Sequence, residues 1–469
     1  MKIRILFQPM LWILIVFSLV LIVSCTAIAP ESTPTLEQVQ APVTVQILAF
    51  EWSSSIVPVF STLEETYNVS HEDTKIQIIL IGEDQFPGAF RTNPPPDICL
   101  GINLNGLAYT HGEWLDLTPF IEADNYDTTR FVGPTLEIFA QEKNGILGLP
   151  YITRPSVIFY NLEMFDRAGL AYPPTEFGAP YADGDPWTYD KLVEIAQALT
   201  LDASSTSALS SNFNPGNIEQ YGFTHEYWEN ALNYAAKFGA ESNMGISEDL
   251  NTAALNTQQF EDAMQWDLDS IWNWHISPNY DVFMAAEKHD LFGSRQVAIY
   301  EAMVGYSFGD ALPPKDLRWN IAAIPQGPDG VIDSLTDSNL ISILKNSNHP
   351  DEAWEVVKWL FESDLQKVIA SDNESLFNGV PGFKDYIDDW QSAVIKNYPQ
   401  VNPQTILDTL EKAGPVNWGP WRPENASSRK IMEGAHEKVI RYQDQDVDQI
   451  LEQANADMQK LLDAYWASQ

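Results

Sequence analysis

Residues 144–170 read NGILGLPYITRPSVIFYNLEMFDRAGL and carry the clearest local pattern in the chain. A turn containing glycine and proline occupies residues 145–151, and an apolar run follows at 156–160. An amphipathic turn of helix then starts after Asn161 and ends at Gly169. A turn, an apolar strand and a short helix in this order predict an α/β protein.

Strands and helices also alternate before this stretch. Alternating apolar positions predict a strand at residues 43–49, and a helix with an apolar stripe follows at 56–67. Such alternation favours parallel βαβ units, which bind ligands beyond the carboxyl ends of their strands. Two further strands are predicted at residues 76–81 and 98–101. The rule selects the loops after the first and third strands, with Glu51, Trp52 and Asn103 as candidate binding residues.

The stretch at 144–170 resembles the family 1 extracellular solute-binding proteins of bacterial ABC importers. That family carries a G-x-x-y-G-L-P-y turn and then Y-N-x-x-x-F-x-x-A-G-L, and both patterns are present here. Weaker similarities follow in the family's order at residues 114–120, 187–190, 319–328 and 348–354. Each of these motifs is weak evidence alone, and the resemblance depends on their order along the chain.

The resemblance implies the type II periplasmic-binding-protein fold, in which crossover strands form a hinge between two lobes and the ligand cleft lies between the lobes. It places lobe 1 at residues 43–152 and 323–376, and lobe 2 at 153–322 and 377–469. The chain of 469 residues is also long enough for two lobes, because a single hydrophobic core does not extend beyond roughly 250 to 300 residues.

The N-terminus predicts export and lipid attachment. Lys2 and Arg4 precede an apolar run at 11–23, which is short for a bilayer crossing and suits a signal peptide. Residues 21–25, LIVSC, resemble a lipobox, so residues 1–24 would be removed and Cys25 lipidated. Residues 25–42 would then be a flexible tether outside the cell membrane. An uncleaved signal anchor is the alternative.

Charge and motifs exclude several functions. The net charge of −39 would repel nucleic acid and anionic membrane surfaces. His436 begins a pattern like a zinc-protease helix, but Ile440 replaces the second histidine, so this segment is expected to be a solvated helix face. We expect no metal, no cofactor and no enzymatic activity. With 65 carboxylates, however, a glycosidase pair stays open as an alternative.

A sugar needs flat aromatic rings against its apolar faces and polar groups around its hydroxyls. The 15 Trp and 18 Tyr residues suit such a ligand. The candidate binding residues are those near the expected crossovers and loops: Trp52, Trp228, Tyr300, Trp418 and Trp421 for stacking, with Glu51, Asn103, Arg154 and Glu301 as polar partners. For each aromatic residue packing is the alternative role, and for each polar residue a surface or capping role.

The sequence thus predicts a monomeric, lipid-anchored, extracytoplasmic component of an ABC importer. It would capture a carbohydrate by hinge closure and deliver it to a membrane permease. Two alternatives stay open: the same fold binding another small solute, such as a phosphorylated polyol or a peptide, and a surface glycoside hydrolase or adhesin-like lipoprotein.

Overall fold

A computed structural model describes most of the chain beyond the N-terminal segment. The described residues are 41–50, 56–82, 86–103, 106, 110, 112–136, 145–225, 235–240, 245–286, 290–305, 314–330, 332, 334–371, 375–415 and 422–468. Pro42–Gln469 form one compact unit.

A mixed sheet runs through this unit. Its strands are β1 Val43–Phe50, β2 Thr74–Ile81, β3 Ile98–Asn103, β4 Leu149–Asn161, β5 Leu201–Asp202, β6 Ile218–His225, β7 Val297–Met303, β8 Trp319–Ala322, β9 Ser334–Ile343, β10 Val380–Pro381 and β11 Ala413–Pro415. The strand order across the sheet is β2-β1-β3-β9-β4-β7-β6-β5. In addition, β8 and β10 pair with β4, and β11 pairs with β9. On one side β1 runs parallel to β2 and β3, and on the other β6 runs parallel to β7.

Strand β4 belongs to both sides of the sheet. Its first half, residues 149–155, pairs with β9, and its second half, residues 156–161, pairs with β7 and β8. Every residue of β4 is buried, as expected of an apolar run that is covered on both faces. Residues 149–161 of the 144–170 stretch are therefore the strand that connects the two halves of the sheet. The lobe boundaries themselves stay a prediction.

Helices cover the sheet. They are α1 Ile56–Ser70, α2 Phe86–Ala89, α3 Thr118–Asp124, α4 Leu162–Ala168, α5 Tyr189–Leu199, α6 Gln258–Trp272, α7 Tyr280–Ala285, α8 Pro350–Glu362, α9 Asp364–Ser371, α10 Ser375–Asn378, α11 Ile387–Asn397, α12 Pro403–Leu410, α13 Asn425–Arg441 and α14 Val447–Ser468. Short 3-10 helices occur at Thr128–Arg130, Ala235–Phe238, Pro328–Gly330 and Lys384–Tyr386. Within the described ranges, none of the helices combines the length and apolar character that a membrane crossing requires.

Asn161 and Gly169 determine where β4 and the helix after it end. Asn161 ends the strand and caps α4, because its Oδ1 accepts hydrogen bonds from the backbone N–H groups of Glu163 at 2.9 Å and Met164 at 3.2 Å. Gly169 then ends the helix in the left-handed region, at φ 67°.

The core lies on both faces of the sheet. Cys99 and Trp114 are buried there, and burial raises the pKa of the Cys99 thiol, which leaves it inert at neutral pH.

Candidate functional site

The carboxyl ends of strands from both halves of the sheet meet beside the middle of β4. On one side β3 ends at Asn103, which is paired with Asn339 of β9, and Asn339 in turn is paired with Ile152 of β4. On the other side β7 ends at Met303, which is paired with Ser156 of β4. Since ligands of open α/β sheets bind beyond the carboxyl ends of strands, the region around residues 152–156 is the candidate site.

Arg154 stands at the centre of this region. Only 6% of its surface is exposed, and its guanidinium donates a hydrogen bond from Nη1 to the Oδ1 of Asn339. The Nδ2 of Asn339 donates onward to the backbone oxygen of Gly101 at 2.7 Å. Strands β3, β9 and β4 are thus connected through one arginine and one asparagine.

Two glycines allow the backbone to approach Arg154 closely. Gly305 follows β7 at φ +107°, and Gly379 precedes β10 at φ +101°. A Cβ at Gly305 would lie 2.9 Å from Arg154 Nε, and one at Gly379 would lie 2.9 Å from Arg154 Cγ. Both distances are too short for a real Cβ, so these positions require glycine and the arginine side chain is held between two segments of backbone.

A buried ion pair lies on the adjacent strand. Glu301 of β7 is 0% exposed and pairs with Lys237, which is 1% exposed and belongs to the 3-10 helix Ala235–Phe238. The hydroxyl of Tyr189, the first residue of α5, lies 3.2 Å from both carboxylate oxygens of Glu301. Buried charges persist only when they are paired and hydrogen-bonded, and this group satisfies both conditions.

A third polar group occupies the carboxyl end of β6. The carboxylate of Asp267 on α6 lies 3.0 Å from Nε2 of His225 and 2.7 Å from Nε2 of His436 on α13. Burial opposes ionisation of Asp267, but electrostatic attraction and hydrogen bonds from both histidines outweigh it and hold the pKa of Asp267 well below its usual range. Since β6 pairs in parallel with β7, His225 lies directly beside Glu301.

Four of the nine sequence-predicted binding residues fall within the described part of the chain. Arg154 and Glu301 have the contacts given above. Asn103 is partly exposed at the end of β3, and its Oδ1 accepts a hydrogen bond from the N–H of Gly106 at 2.9 Å. Tyr300 points to the opposite face of β7 from Glu301, because successive strand residues alternate. Its ring packs in the core against Phe292, with ring centroids 6.1 Å apart.

The other predicted residues lie outside the described residues: Glu51, Trp52, Trp228, Trp418 and Trp421, together with the lipidation candidate Cys25. Their positions in the chain are nevertheless informative. Glu51 and Trp52 directly follow β1, Trp228 comes three residues after His225, and Trp421 comes four residues before α13. All nine assignments stay predictions.

Sequence reasoning missed several residues of the central region. Asn339, Lys237 and Asp267 have no distinctive local motif, and only the pairing of distant segments brings them to the site. His436 was expected on a solvated helix face. That expectation is wrong, because the residue is buried against Asp267. A signal for His436 was available, since Met432, Ala435, Val439 and Ile440 place it on the apolar stripe of α13.

Two small cavities occur elsewhere on the described surface. One, of about 170 Å³, lies beside Trp187 and Gln326, and the other, of about 270 Å³, lies beside Asn161 and Arg295. Ligand pockets usually measure roughly 300 to 1,000 Å³, so neither is large enough for an oligosaccharide. The convergence of strand ends at Arg154 is the stronger candidate.

The chain is similar to known solute-binding proteins. The family model described as bacterial extracellular solute-binding protein matches residues 56–367, which is more than half of the chain. A putative binding protein of Brucella abortus, BAB2_0491, is 22% identical over 337 residues, which are 68% of this chain and 72% of the relative.

Solved structures share the fold. The substrate-binding protein Lmo0181 of Listeria monocytogenes, in complex with cycloalternan, aligns with a TM-score of 0.68 at 16% identity, over 90% of this chain and 99% of that one. The cyclic α-maltosyl-1,6-maltose binding protein of Arthrobacter globiformis aligns with a TM-score of 0.68 at 19% identity, over 90% of this chain and 100% of that one. UspC of Mycobacterium tuberculosis aligns with a TM-score of 0.68 at 17% identity, over 89% of this chain and 100% of that one.

These similarities confirm the α/β, type II periplasmic-binding-protein fold that the sequence predicts. From the extent of the family match, the chain belongs to the bacterial extracellular solute-binding proteins, a family that acts outside the cytoplasm.

Proposed function

We propose that the protein is a lipid-anchored component of an ABC importer that captures a carbohydrate and delivers it to a membrane permease. The proposal rests mainly on one observation. The two halves of the sheet meet at Arg154, where polar side chains surround the ends of the strands. Related folds bound to cycloalternan, mannobiose and maltose support a sugar ligand.

The charge balance of the site favours a neutral ligand over a phosphorylated one. An anionic solute requires uncompensated cationic side chains in its site. Lys237 is neutralised by Glu301. The neutral amide of Asn339 leaves the charge of Arg154 in place, but only 6% of the surface of Arg154 is exposed to an incoming anion. A sugar ligand instead needs hydrogen-bonding groups beside aromatic rings. Trp52, Trp228, Trp418 and Trp421, which lie in segments adjoining β1, β6 and α13, are our candidates for stacking.

The surroundings of the buried carboxylates Asp267 and Glu301 favour a binding protein over a glycoside hydrolase. A glycosidase needs one carboxyl group with a raised pKa to act as an acid. The pKa of Asp267 is shifted downwards, and Glu301 is engaged by Lys237 and Tyr189. We therefore propose a binding protein that works by closure around its ligand.

A ligand screen tests this function. The purified chain from residue 26 onward is mixed with maltose, mannobiose, mannotriose, tagatose and cycloalternan, and with a phosphorylated polyol and a peptide mixture. We expect at least one sugar to raise the melting temperature and shift the tryptophan fluorescence, while chromatography recovers that sugar intact. Cleavage of the sugar would favour a hydrolase, and a response only to the phosphorylated polyol or the peptides would favour the other solute classes.

Lipid attachment needs a test of its own. Full-length protein is expressed in a bacterial host with radiolabelled palmitate, beside a Cys25→Ser variant. We expect label and membrane fractionation for the natural sequence and loss of the label in the variant. Equal labelling of the two would show that Cys25 is not the lipidated residue. Natural protein that is membrane-bound, unlabelled and still carries residues 1–24 would favour an uncleaved signal anchor.

A further inference from the structure

Besides β4, the chain that follows β8 connects the two halves of the sheet. Strand β8 pairs with residues 158–161 of β4, in the half that also contains β7 and β6 and is called the β7 half. Strand β9 pairs with residues 149–155 of β4, in the half that also contains β3 and β1 and is called the β9 half. The chain therefore passes from the β7 half to the β9 half between these two strands. We call residues 323–326, which directly follow β8, the connection.

Residues 174–188, between α4 and α5, bind both ends of the connection, and we call them the strap. At one end, the N–H of Ala323 donates to the backbone oxygen of Pro174 at 2.9 Å, and the indole Nε1 of Trp187 donates to the backbone oxygen of Ala323 at 2.7 Å. At the other end, the N–H of Gln326 donates to the backbone oxygen of Trp187 at 2.9 Å. The backbone oxygen of Gln326 accepts a bond from the first N–H of α5 at 3.0 Å.

The bonds between the strap and the connection are shielded from water. Trp187 is 4% exposed and Ala323 is 0% exposed. The ring of Tyr181 stacks beside the indole of Trp187, with ring centroids 6.2 Å apart. A buried hydrogen bond is costly to break, because its donor and acceptor cannot turn to water instead. The strap therefore fixes the connection in one conformation.

The strap is in turn fixed to helix α5. The N–H of Tyr181 donates to the backbone oxygen of Asp185 at 2.8 Å and closes a turn. Lys191 of α5 forms ion pairs with Asp183 and Asp185 of this turn. The lysine is only 6% exposed, and its Nζ lies 5.6 Å from the centre of the Tyr181 ring. Because α5 packs on β6, the strap belongs to the β7 half.

We infer that the strap fixes the connection to the β7 half, so that residues 323–326 take no part in any movement between the two halves of the sheet. Hinges usually consist of a few loop residues, and the strap removes four loop residues from that role. A connection that is already ordered also adds no entropy cost when a ligand binds. The effect on ligand affinity rests on the proposed function, whereas the effect on the connection does not.

Hydrogen exchange measured by mass spectrometry tests the strap without any ligand. A peptide covering residues 319–327 is followed in the natural sequence and in two variants. Trp187→Phe removes the indole donor to Ala323 but keeps an aromatic ring, and it should speed exchange in this peptide about tenfold through the loss of one buried hydrogen bond. Lys191→Met releases the turn of the strap and should speed the same exchange at least about threefold, because the strap transmits the change to the connection.

Trp354→Phe is the matched control. It removes an indole hydrogen bond of similar length, 2.8 Å to Asp124, from α8, which packs on β1 and β9 in the other half. Exchange in 319–327 should stay unchanged in this variant, and exchange in β9 should stay unchanged in Trp187→Phe.

Three results of the exchange experiment would overturn the inference. The first is unchanged exchange in 319–327 for Trp187→Phe, and the second is equal acceleration in Trp187→Phe and Trp354→Phe. The third is unchanged exchange in Lys191→Met, because Trp187 would then act as a single contact and not as part of a strap. Lys191→Met also keeps the experiment decisive if Trp187→Phe does not fold.

Sugar titration tests the link to function, with maltose and mannobiose as probes. Where the natural protein binds a probe, Trp187→Phe should weaken its affinity about tenfold, because binding must then order the connection. Trp354→Phe should retain the affinity. Unchanged affinity in Trp187→Phe, when its connection exchanges faster, would contradict this role of the strap. If the natural protein binds no sugar, the proposed function fails, and the exchange experiment still decides whether the strap fixes the connection.

Discussion

Arg154 and Asn339 form a direct hydrogen bond at the point where the two halves of the sheet meet. Arg154 lies in the middle of β4, and Asn339 lies in β9 opposite Ile152. Because Asn339 also donates to Gly101 on β3, its amide connects three strands. The guanidinium is thus held by the scaffold, and in the proposed binding role of Arg154 this would lower the entropy cost of binding.

Replacing Asn339 tests this connection. Asn339→Ala removes an acceptor from a buried guanidinium and should lower the free energy of unfolding by about 2 kcal/mol. Asn339→Asp retains an acceptor for Arg154 and should cost less than Asn339→Ala, although it loses the donor to Gly101. Urea denaturation measures both. An equal loss in the two variants would show that the bond to Gly101, and not the bond to Arg154, is the important one.

The Lys237–Glu301 pair should behave as a coupled unit. Lys237→Met or Glu301→Gln alone leaves one buried charge without this partner, and each should lower the free energy of unfolding by about 3–5 kcal/mol. The double variant removes both charges and should cost clearly less than the sum of the single changes. A double-mutant cycle in urea checks this. Additive losses would mean that the two side chains do not interact energetically.

The ionised state of Asp267 predicts how stability depends on pH. A carboxyl group whose pKa is lowered on folding adds stability above its unfolded pKa, near 3.9, and loses that contribution as the pH falls towards the lowered value. The stability difference between the natural protein and Asp267→Asn should therefore persist at pH 5 and shrink from about pH 4 towards pH 2. Denaturation at each pH measures it, and a difference that disappears by pH 6 would contradict an ionised Asp267.

Glycine substitutions should have opposite effects at two positions. Gly305 has φ +107°, and a Cβ there would lie 2.6 Å from the backbone oxygen of Phe377. Gly305→Ala should destabilise the protein by at least about 2 kcal/mol. Gly434 lies within α13, and its added Cβ would meet no atom within 4 Å. Gly434→Ala should stabilise by up to about 1 kcal/mol. Thermal denaturation compares them, and equal effects would contradict the close packing at Gly305.

The sequence predicted the framework of the fold for physical reasons. The apolar run of β4 and the alternation of strands and helices are local patterns, and the structure shows both. Asn161 and Gly169 also have local roles, as a helix cap and a helix end, so their types can be interpreted without knowing the fold.

The buried polar groups of the site could not be predicted in the same way. Lys237 and Glu301 are 64 residues apart, and His436 and Asp267 are 169 apart. Lys237 and Asp267 are unremarkable in their own segments, since a lone charged side chain usually indicates a solvated surface. Only the order of the strands and the docking of α13 on α6 bring these charges together. A helical wheel of α13 would have placed His436 on the apolar face.

Isothermal titration calorimetry of the chain from residue 26 onward with maltose, mannobiose, mannotriose and cycloalternan is the decisive measurement. The proposed function predicts saturable binding of at least one of these sugars, one molecule per chain, at micromolar affinity or tighter, which corresponds to about −8 kcal/mol. The same sugar should be recovered uncleaved. Absence of heat with every sugar, together with saturable binding of a peptide or a phosphorylated polyol, would contradict the assignment of this protein to carbohydrate capture.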